Sequence, residues 1–258
     1  MYNIKNFYLL DWLENTLNSN SIKNDYAPNG MQIEGDTNIS KILFGVTLNE
    51  QLIKLAIKNK ANAIITHHGL LNYKENIVVK GIKRNRLKLI LKNNINIFSY
   101  HLPLDVHISL GNNYQLAKLL DLHPILCKNQ LPLTYCNGLL WIGTSKKINN
   151  IKDLCILIEK KLNRKPLYIG PKNKIINKIA WCTGAGQKMF SDAIELGADV
   201  YITGEISESS VHLARENNVG FISAGHHATE RYGVKALSQY IMEKLNIETQ
   251  FVDIDNPI

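Results

Sequence analysis

Three apolar segments of this chain each run into a turn that carries histidine, and this pattern constrains the fold most strongly. The segments are Ala63–Gly69, Ile95–Asp105 and Phe221–Glu230. Each resembles a buried strand whose end releases polar side chains. Because neighbouring strand ends of an open α/β sheet share one crevice where ligands bind, the three turns are predicted to meet at a common site.

The rest of the chain alternates predicted strands and helices, which indicates the α/β class. The third histidine-bearing strand is expected to rejoin the sheet of the first two. The middle of the chain is therefore interpreted as an insertion. The predicted fold has two α/β domains with mixed sheets, the second inserted into a discontinuous first, with residues 1–125 plus 220–258 in one domain and 126–219 in the other. The predicted helices are Glu50–Lys60, Lys83–Asn93, Gly111–Leu120, Ile151–Leu162, Lys188–Leu196, 207–217 and His227–Leu245.

The composition is that of a globular protein with a full core. The chain has 258 residues, of which 45% are hydrophobic, and no apolar run reaches the length of about 18 residues that a membrane span needs. Asp11 and Glu14 interrupt the place where a signal peptide has its apolar run. The four cysteines form no CxxC pair, so they are interpreted as free thiols in a reducing compartment. These features predict a cytoplasmic protein without a membrane partner.

The chain carries a formal net charge of +8 and an isoelectric point near 9.2, which raises the question of nucleic-acid binding. Apart from a cluster at Lys83–Lys88, however, the basic residues are scattered, as expected of Lys-, Asn- and Ile-rich compositional drift. Nucleic acid is therefore not an expected partner, and an anionic small-molecule substrate fits the charge at least as well.

The histidine-bearing turns supply a set of candidate metal ligands. His67 and His68 are adjacent at a strand end, so their side chains are expected to diverge and serve two neighbouring ions. His226 and Glu230 are spaced i, i+4 at the start of a helix and share one face. Imidazole and carboxylate ligands from three segments suit Zn, Mn, Fe or a similar divalent ion. The predicted metal ligands are His67, His68, Asp105, His226 and Glu230, with two divalent metal ions per subunit.

A single histidine at a strand end is more often a hydrogen-bonded turn residue than a ligand, but two His-His pairs with carboxylates are harder to explain that way. His101 is predicted either to contact and orient a metal ligand or to act as a catalytic base. Glu205 is predicted to contact the substrate or to assist proton transfer. The Thr183–Gln187 loop is interpreted as a tight strand-to-helix turn, with a phosphate cradle as the alternative.

Several of these segments together resemble one known family, the NGG-interacting-factor-three-like proteins, also called GTP cyclohydrolase I type two homologues. The resemblance extends over the whole chain and rests on the THHG motif, the HLPLD motif and the GHHATE motif, supported by three further segments. The three motifs lie in Ile65–Gly69, His101–Asp105 and Ala224–Arg231, and the further segments are Tyr26–Gln32, Lys83–Leu87 and Thr203–Glu208.

The resemblance implies a dinuclear metal centre at the five predicted ligands. It also implies two α/β domains and a homohexamer assembled as a trimer of dimers. For some members the family's name implies GTP ring opening, but no guanine-recognition motif is identified here.

Three functions are compatible with these features. The leading hypothesis is a metal-dependent hydrolase, GTP cyclohydrolase-like or a phosphoesterase, that acts on a nucleotide or related phosphate-bearing small molecule. The alternative is a non-enzymatic metal-binding ring that serves as a metal chaperone or protein scaffold. A DNA-binding ring is the third, and only the positive charge supports it.

Overall fold

A computed structural model describes residues 3–73 and 77–258 and divides the chain into two compact units. The first unit comprises the described residues up to Leu110 together with Gly233–Asp255. The second comprises Gly111–Tyr232 and Asn256–Ile258. Among the described residues, no helix is both long enough and apolar enough to cross a membrane.

Up to Leu110, the strands and helices of the first unit follow one another along the chain. They are β1 (Ile4–Lys5), α1 (Asn6–Leu17), β2 (Gly30–Ile33), β3 (Asn38–Ile39), β4 (Lys41–Thr47), α2 (Glu50–Lys58), β5 (Ala63–His68), α3 (Gly81–Lys92), β6 (Asn96–Ser99) and α4 (Leu102–Val106).

The remaining elements begin in the second unit, and the last strand returns to the first. They are α5 (Asn112–Leu119), β7 (Leu122–Pro124), β8 (Thr134–Tyr135), β9 (Leu140–Ser145), α6 (Ile151–Leu162), β10 (Leu167–Ile169), β11 (Ile179–Trp181), α7 (Phe190–Glu195), β12 (Val200–Thr203), α8 (Glu208–Glu216), β13 (Gly220–Ser223), α9 (His226–Leu245) and β14 (Glu248–Phe251).

The main sheet of the first unit has the strand order β14-β4-β5-β6-β2. β14, β4, β5 and β6 run parallel, and β2 pairs antiparallel with β6. Alternate residues of β5 enter different apolar clusters: Ile65 packs with α1 and α9, whereas Ile64 packs with α2 and α3. Burial on both faces explains the continuous apolar run of this strand. The polar residues that follow the run lie at the carboxyl end of the strand.

The sheet of the second unit has the order β10-β13-β12-β11-β9-β7, with β8 beside β9. Here too the strands are covered on both faces. Ile202 packs with α5 and α6, and its neighbour Tyr201 packs with α7 and α8. Trp141 and Trp181 are fully buried in this unit, with ring centroids 6.0 Å apart.

The α/β class with mixed sheets agrees with the sequence analysis, but the expected course of the third histidine-bearing strand was wrong. β13 pairs in parallel with β12 and antiparallel with β10 instead of rejoining β5 and β6. The second unit comprises Gly111–Tyr232 with Asn256–Ile258, whereas the predicted insertion spanned 126–219. Strand periodicity specifies that β13 is buried, but it carries no information about which sheet accepts it.

Candidate metal centre

In the first unit, three histidines lie together where β5 and β6 end. The ring centroid of His67 lies 4.5 Å from that of His68 and 5.0 Å from that of His101. Each ring offers a nitrogen within 4.8 Å of the others. The expected divergence of His67 and His68 was therefore wrong: β5 ends at His68, and both rings join one cluster.

The Nδ1 atom of each of these histidines is held by a protein oxygen. His67 Nδ1 lies 3.0 Å from the Tyr100 carbonyl, His68 Nδ1 lies 2.9 Å from Thr47 Oγ1, and His101 Nδ1 lies 2.8 Å from Asp25 Oδ1. Carbonyl and carboxylate oxygens only accept hydrogen bonds, so Nδ1 carries the proton in His67 and His101. In this tautomer Nε2 is unprotonated, which is the form of an imidazole nitrogen that ligates a metal.

Asp105 reaches this cluster from the short helix α4. Its Oδ1 lies 3.5 Å from His67 Nε2, and the residue is buried. The backbone N–H of Asp105 donates to the His101 carbonyl at 3.3 Å, which fixes the carboxylate close to the strand ends. The structure thus brings together the three predicted ligands of the first unit, with His101 beside them.

Asp25 is a residue of this site that the sequence analysis missed. Its carboxylate accepts hydrogen bonds from the backbone N–H groups of Ala27 and Leu102, from Asn29 Nδ2 and from His101 Nδ1. Burial alone would raise the pKa of Asp25, but the bonds from His101 and Asn29 outweigh it and lower the pKa to about 2. Asp25 directly precedes the Tyr26–Gln32 segment that resembles the family, and this was the signal that could have identified it.

His101 also contacts Tyr26 on the side opposite Asp25. The Tyr26 hydroxyl lies 3.2 Å from His101 Nε2. Because Nδ1–H donates to Asp25, Nε2 accepts from the tyrosine hydroxyl. The three residues form a hydrogen-bonded chain from a buried carboxylate through imidazole to a phenol, which can orient His101 and relay a proton.

In the second unit, His226 and Glu230 form the other predicted group. They lie one turn apart at the start of α9, and His226 Nε2 lies 3.1 Å from Glu230 Oε2. Glu205 Oε1 lies 2.6 Å from His226 Nδ1. Burial would lower the pKa of His226, but the two carboxylates, Glu230 first and then Glu205, raise it to about 9.

Glu205 therefore orients a predicted ligand. Its second oxygen accepts from Gln187 Nε2 at 3.2 Å, so both oxygens of the carboxylate have protein partners. A carboxylate that holds the far nitrogen of a metal-binding imidazole fixes the ring and makes it a stronger ligand. This arrangement favours a positioning role for Glu205 over the predicted proton transfer.

The loop between β11 and α7 is a packed turn, as the first interpretation proposed. The amide of Gly184 donates to Thr229 Oγ1 and the amide of Gly186 donates to Thr203 Oγ1, so neither is directed at a phosphate. Gly184 has a φ of +65°, and a Cβ at this position would overlap Glu230 Oε1. A glycine is required here because the Glu230 carboxylate rests against the backbone.

Two other histidines have structural roles. His107 Nε2 donates to the Thr16 carbonyl at 3.0 Å, while its Nδ1 accepts from the Leu110 N–H. His212 forms an exposed i, i+4 pair with Glu208 at 2.8 Å. Neither joins a group of predicted ligands.

Comparison with known proteins identifies the family to which these groups belong. The Duf34/NIF3 (NGG1p interacting factor 3) family matches residues 4–257. A relative from Haemophilus influenzae is 47% identical and a relative from Yersinia pestis is 44% identical. Each alignment covers 98% of this chain and 100% of the relative, and both relatives are named GTP cyclohydrolase 1 type 2 homolog.

A solved structure of protein ybgI, described as of unknown function, is similar over the same extent. It superposes with a TM-score of 0.92 at 42% sequence identity, covering 99% of this chain and 100% of that chain. The resemblance noted from the sequence motifs is thus confirmed along the whole chain: this protein belongs to the Duf34/NIF3 family.

Proposed function

We propose that this protein is a metal-dependent hydrolase that holds two divalent ions and acts on a nucleotide or a related phosphate-bearing small molecule. The proposed ligands are the five that the family resemblance implies, His67, His68, Asp105, His226 and Glu230. One observation carries the proposal: a protein oxygen holds Nδ1 of each of the three histidines among them. Preorganised imidazoles of this kind are typical of metal sites.

The donor set fits divalent ions in its chemistry. Three imidazoles and two carboxylates suit Zn²⁺, Mn²⁺ and Fe²⁺. Asp105 and Glu230 are both buried, and a buried carboxylate is costly unless a cation or a set of hydrogen bonds compensates its charge. Negative charge also raises the pKa of His226. The two carboxylates beside its imidazole favour a bound cation for the same reason that they favour a bound proton.

The chemistry of a bound ion would be Lewis acidity, which lowers the pKa of water and polarises phosphoryl or carbonyl oxygens. The protein residues would supply orientation and proton transfer. Glu205 fixes the His226 ring, and Asp25 fixes the His101 ring. We assign the proton transfer to His101, whose Nε2 faces the Tyr26 hydroxyl.

The names of the two bacterial relatives support a nucleotide as substrate. The homohexamer, arranged as a trimer of dimers, and the cytoplasmic location are further proposals taken from the resemblance and the composition. Light scattering coupled to size-exclusion chromatography measures the assembly directly.

The test is a nucleotide panel screened against protein that has been stripped of metal and reloaded with Mn²⁺, Zn²⁺ or Fe²⁺. His67→Ala and Glu230→Ala remove one ligand from each unit. Their matched controls are His212→Ala and Glu208→Ala, which remove the members of an exposed His–Glu pair with the same i, i+4 spacing.

We expect turnover that falls at least about 100-fold in both ligand variants and stays unchanged in both controls. Equal background hydrolysis in the wild type and all four variants would contradict the enzyme assignment. If the wild type still binds metal in that case, the metal chaperone or scaffold function replaces it.

A further inference from the structure

A cavity of about 410 Å³ opens in the first unit, close in the chain to the histidine cluster. Its lining is mostly apolar and includes one aromatic ring and one ammonium group. Small-molecule sites typically have volumes of about 300–1,000 Å³, with apolar walls and a few polar groups. The residues that define the cavity here are Pro28, Leu71, Tyr73, Val79, Lys83 and Leu87.

Gln32 holds together the two lining segments that are closest in the chain to the histidines and their partners. The Gln32 side chain accepts from the backbone N–H groups of Leu70 and Leu71, at 2.8 and 3.0 Å, and donates to the Pro28 carbonyl at 2.8 Å. Leu71 lies three residues after His68, and Pro28 lies between Asp25 and Asn29, which both bind His101. The cavity is therefore built on the same two segments that fix the histidine cluster.

The rim of the cavity presents apolar surface to solvent. Tyr73 is 73% exposed and Ile77 is 88% exposed. Large exposed apolar side chains grouped around a concavity mark binding sites more often than isolated ones do. The Tyr73 ring offers a flat face of the kind on which heteroaromatic rings stack.

The charge near this rim is positive. Lys83 lines the cavity from the first turn of α3, and this helix carries four more basic residues, Arg84, Arg86, Lys88 and Lys92. No acidic residue occurs in the sequence from 77 to 104. Only Lys83 of these basic residues lines the cavity, so its ammonium group would attract an anionic group of a ligand placed beside it.

We propose that this cavity binds a flat heteroaromatic ring bearing a phosphate group, with the ring against Tyr73, Pro28 and Leu87 and the phosphate beside Lys83. The inference rests on the proposed function insofar as the ligand is the substrate of the histidine cluster. It goes further by assigning the recognition of the ring to residues outside the metal ligands.

The test is calorimetric titration of the metal-loaded protein with adenosine and guanosine 5′-monophosphates, guanosine and ribose 5-phosphate. Tyr73→Ala removes the ring, Tyr73→Phe retains it, and Tyr8→Ala is the control because Tyr8 is another exposed tyrosine. Lys83→Met removes the ammonium group, and Lys88→Met is its control on the same helix.

We expect ribose 5-phosphate to bind at least about 10-fold more weakly than the nucleotides. Tyr73→Ala should weaken nucleotide binding about 5- to 100-fold, the range for loss of one stacking partner, while Tyr73→Phe keeps it. Lys83→Met should weaken the nucleotides and leave guanosine unchanged. The Tyr8 and Lys88 controls should match the wild type.

Nucleotide affinity that is unchanged in both Tyr73→Ala and Lys83→Met would overturn the inference. A lower molar mass in solution for Tyr73→Ala would overturn it as well, by showing that a second copy of the chain covers this surface. The metal content of each preparation is measured as well, so that a loss of turnover caused by missing metal is distinguished from a loss of nucleotide binding. If the nucleotides bind as expected but no turnover occurs, the hydrolase assignment fails and the binding site stands.

Discussion

The two groups of candidate ligands hold their histidines by different means. In the first unit, a backbone carbonyl and a threonine hydroxyl hold the Nδ1 atoms of His67 and His68. In the second unit, a carboxylate holds Nδ1 of His226, and a second carboxylate lies beside its Nε2. Each group has one carboxylate beside an Nε2 atom, Asp105 at His67 and Glu230 at His226, but only the second group also holds Nδ1 of a predicted ligand with a carboxylate.

The negative charge of the second group raises the proton affinity of His226. The carboxylates Glu230 and Glu205 overcome the burial of His226 and raise its pKa to about 9. A proton and a metal ion compete for the same imidazole lone pair. The negative charge that favours the proton therefore also attracts a metal cation. We therefore expect the carboxylate at Nδ1 of His226 to strengthen the attraction of the second group for a cation.

The largest expected effect comes from crowding the second group. Gly184→Ala places a methyl group against Glu230 Oε1 in a left-handed backbone conformation, and we expect it to lower the free energy of unfolding by about 3 kcal/mol. Gly81→Ala is the matched control, because its φ is +56° and none of the described residues has an atom within 4 Å of the added methyl group. Guanidinium denaturation measures both.

The control should lose only about 1 kcal/mol, the cost of the backbone conformation alone. Equal losses in the two variants would show that Glu230 does not depend on the glycine turn.

The next effect concerns the carboxylate that orients His226. Glu205→Gln removes the charge but keeps the shape, and we expect Zn²⁺ or Mn²⁺ affinity to fall about 10- to 100-fold. Competition with a chromophoric chelator measures this affinity. Glu208→Gln in the exposed pair with His212 is the control and should change it less than about twofold. If Glu205→Gln retains full affinity, the charge contrast between the two groups does not govern metal binding.

The smallest effect tests the carboxylate of the first unit. The pKa of Asp25 falls from 3.8 to about 2 on folding, so its ionised form stabilises the fold by up to about 2 kcal/mol. This contribution is fully present above pH 3.8 and is lost as the pH falls toward 2. We expect Asp25→Asn to be less stable than the wild type at pH 7, with a difference that disappears in acid.

Asp121→Asn is the control, because the Asp121 side chain is exposed and pairs with the exposed side chains of Lys147 and His123. Denaturation curves of all three proteins between pH 2 and pH 7 give the comparison. A difference for Asp25→Asn that does not depend on pH would show that packing, and not the charge, makes Asp25 important.

Much of the local structure was predictable because it depends on residues close in the chain. The strand before His67 and His68 and the helical step from His226 to Glu230 follow from apolar runs and from i, i+4 spacing. The helix predicted at Ile151–Leu162 has the observed bounds. Periodicity reports burial and secondary structure directly, so these predictions needed no tertiary information.

The partners of the histidines were not predictable in this way. Asp25 lies 76 positions before His101, and Glu205 lies 21 positions before His226. Contacts at such separations depend on how strands are ordered in a sheet. The same reason explains the wrong placement of β13, because an apolar run fits any sheet with two covered faces.

The tryptophans described with the fold give the two units different optical properties. Trp141 and Trp181 are fully buried in the second unit, whereas the third tryptophan, Trp12, belongs to the first unit, is only partly buried and lies near Tyr240. Intrinsic fluorescence therefore reports chiefly on the apolar interior that supports His226 and Glu230. A shift of the emission to longer wavelength would follow the loosening of that interior without any added label.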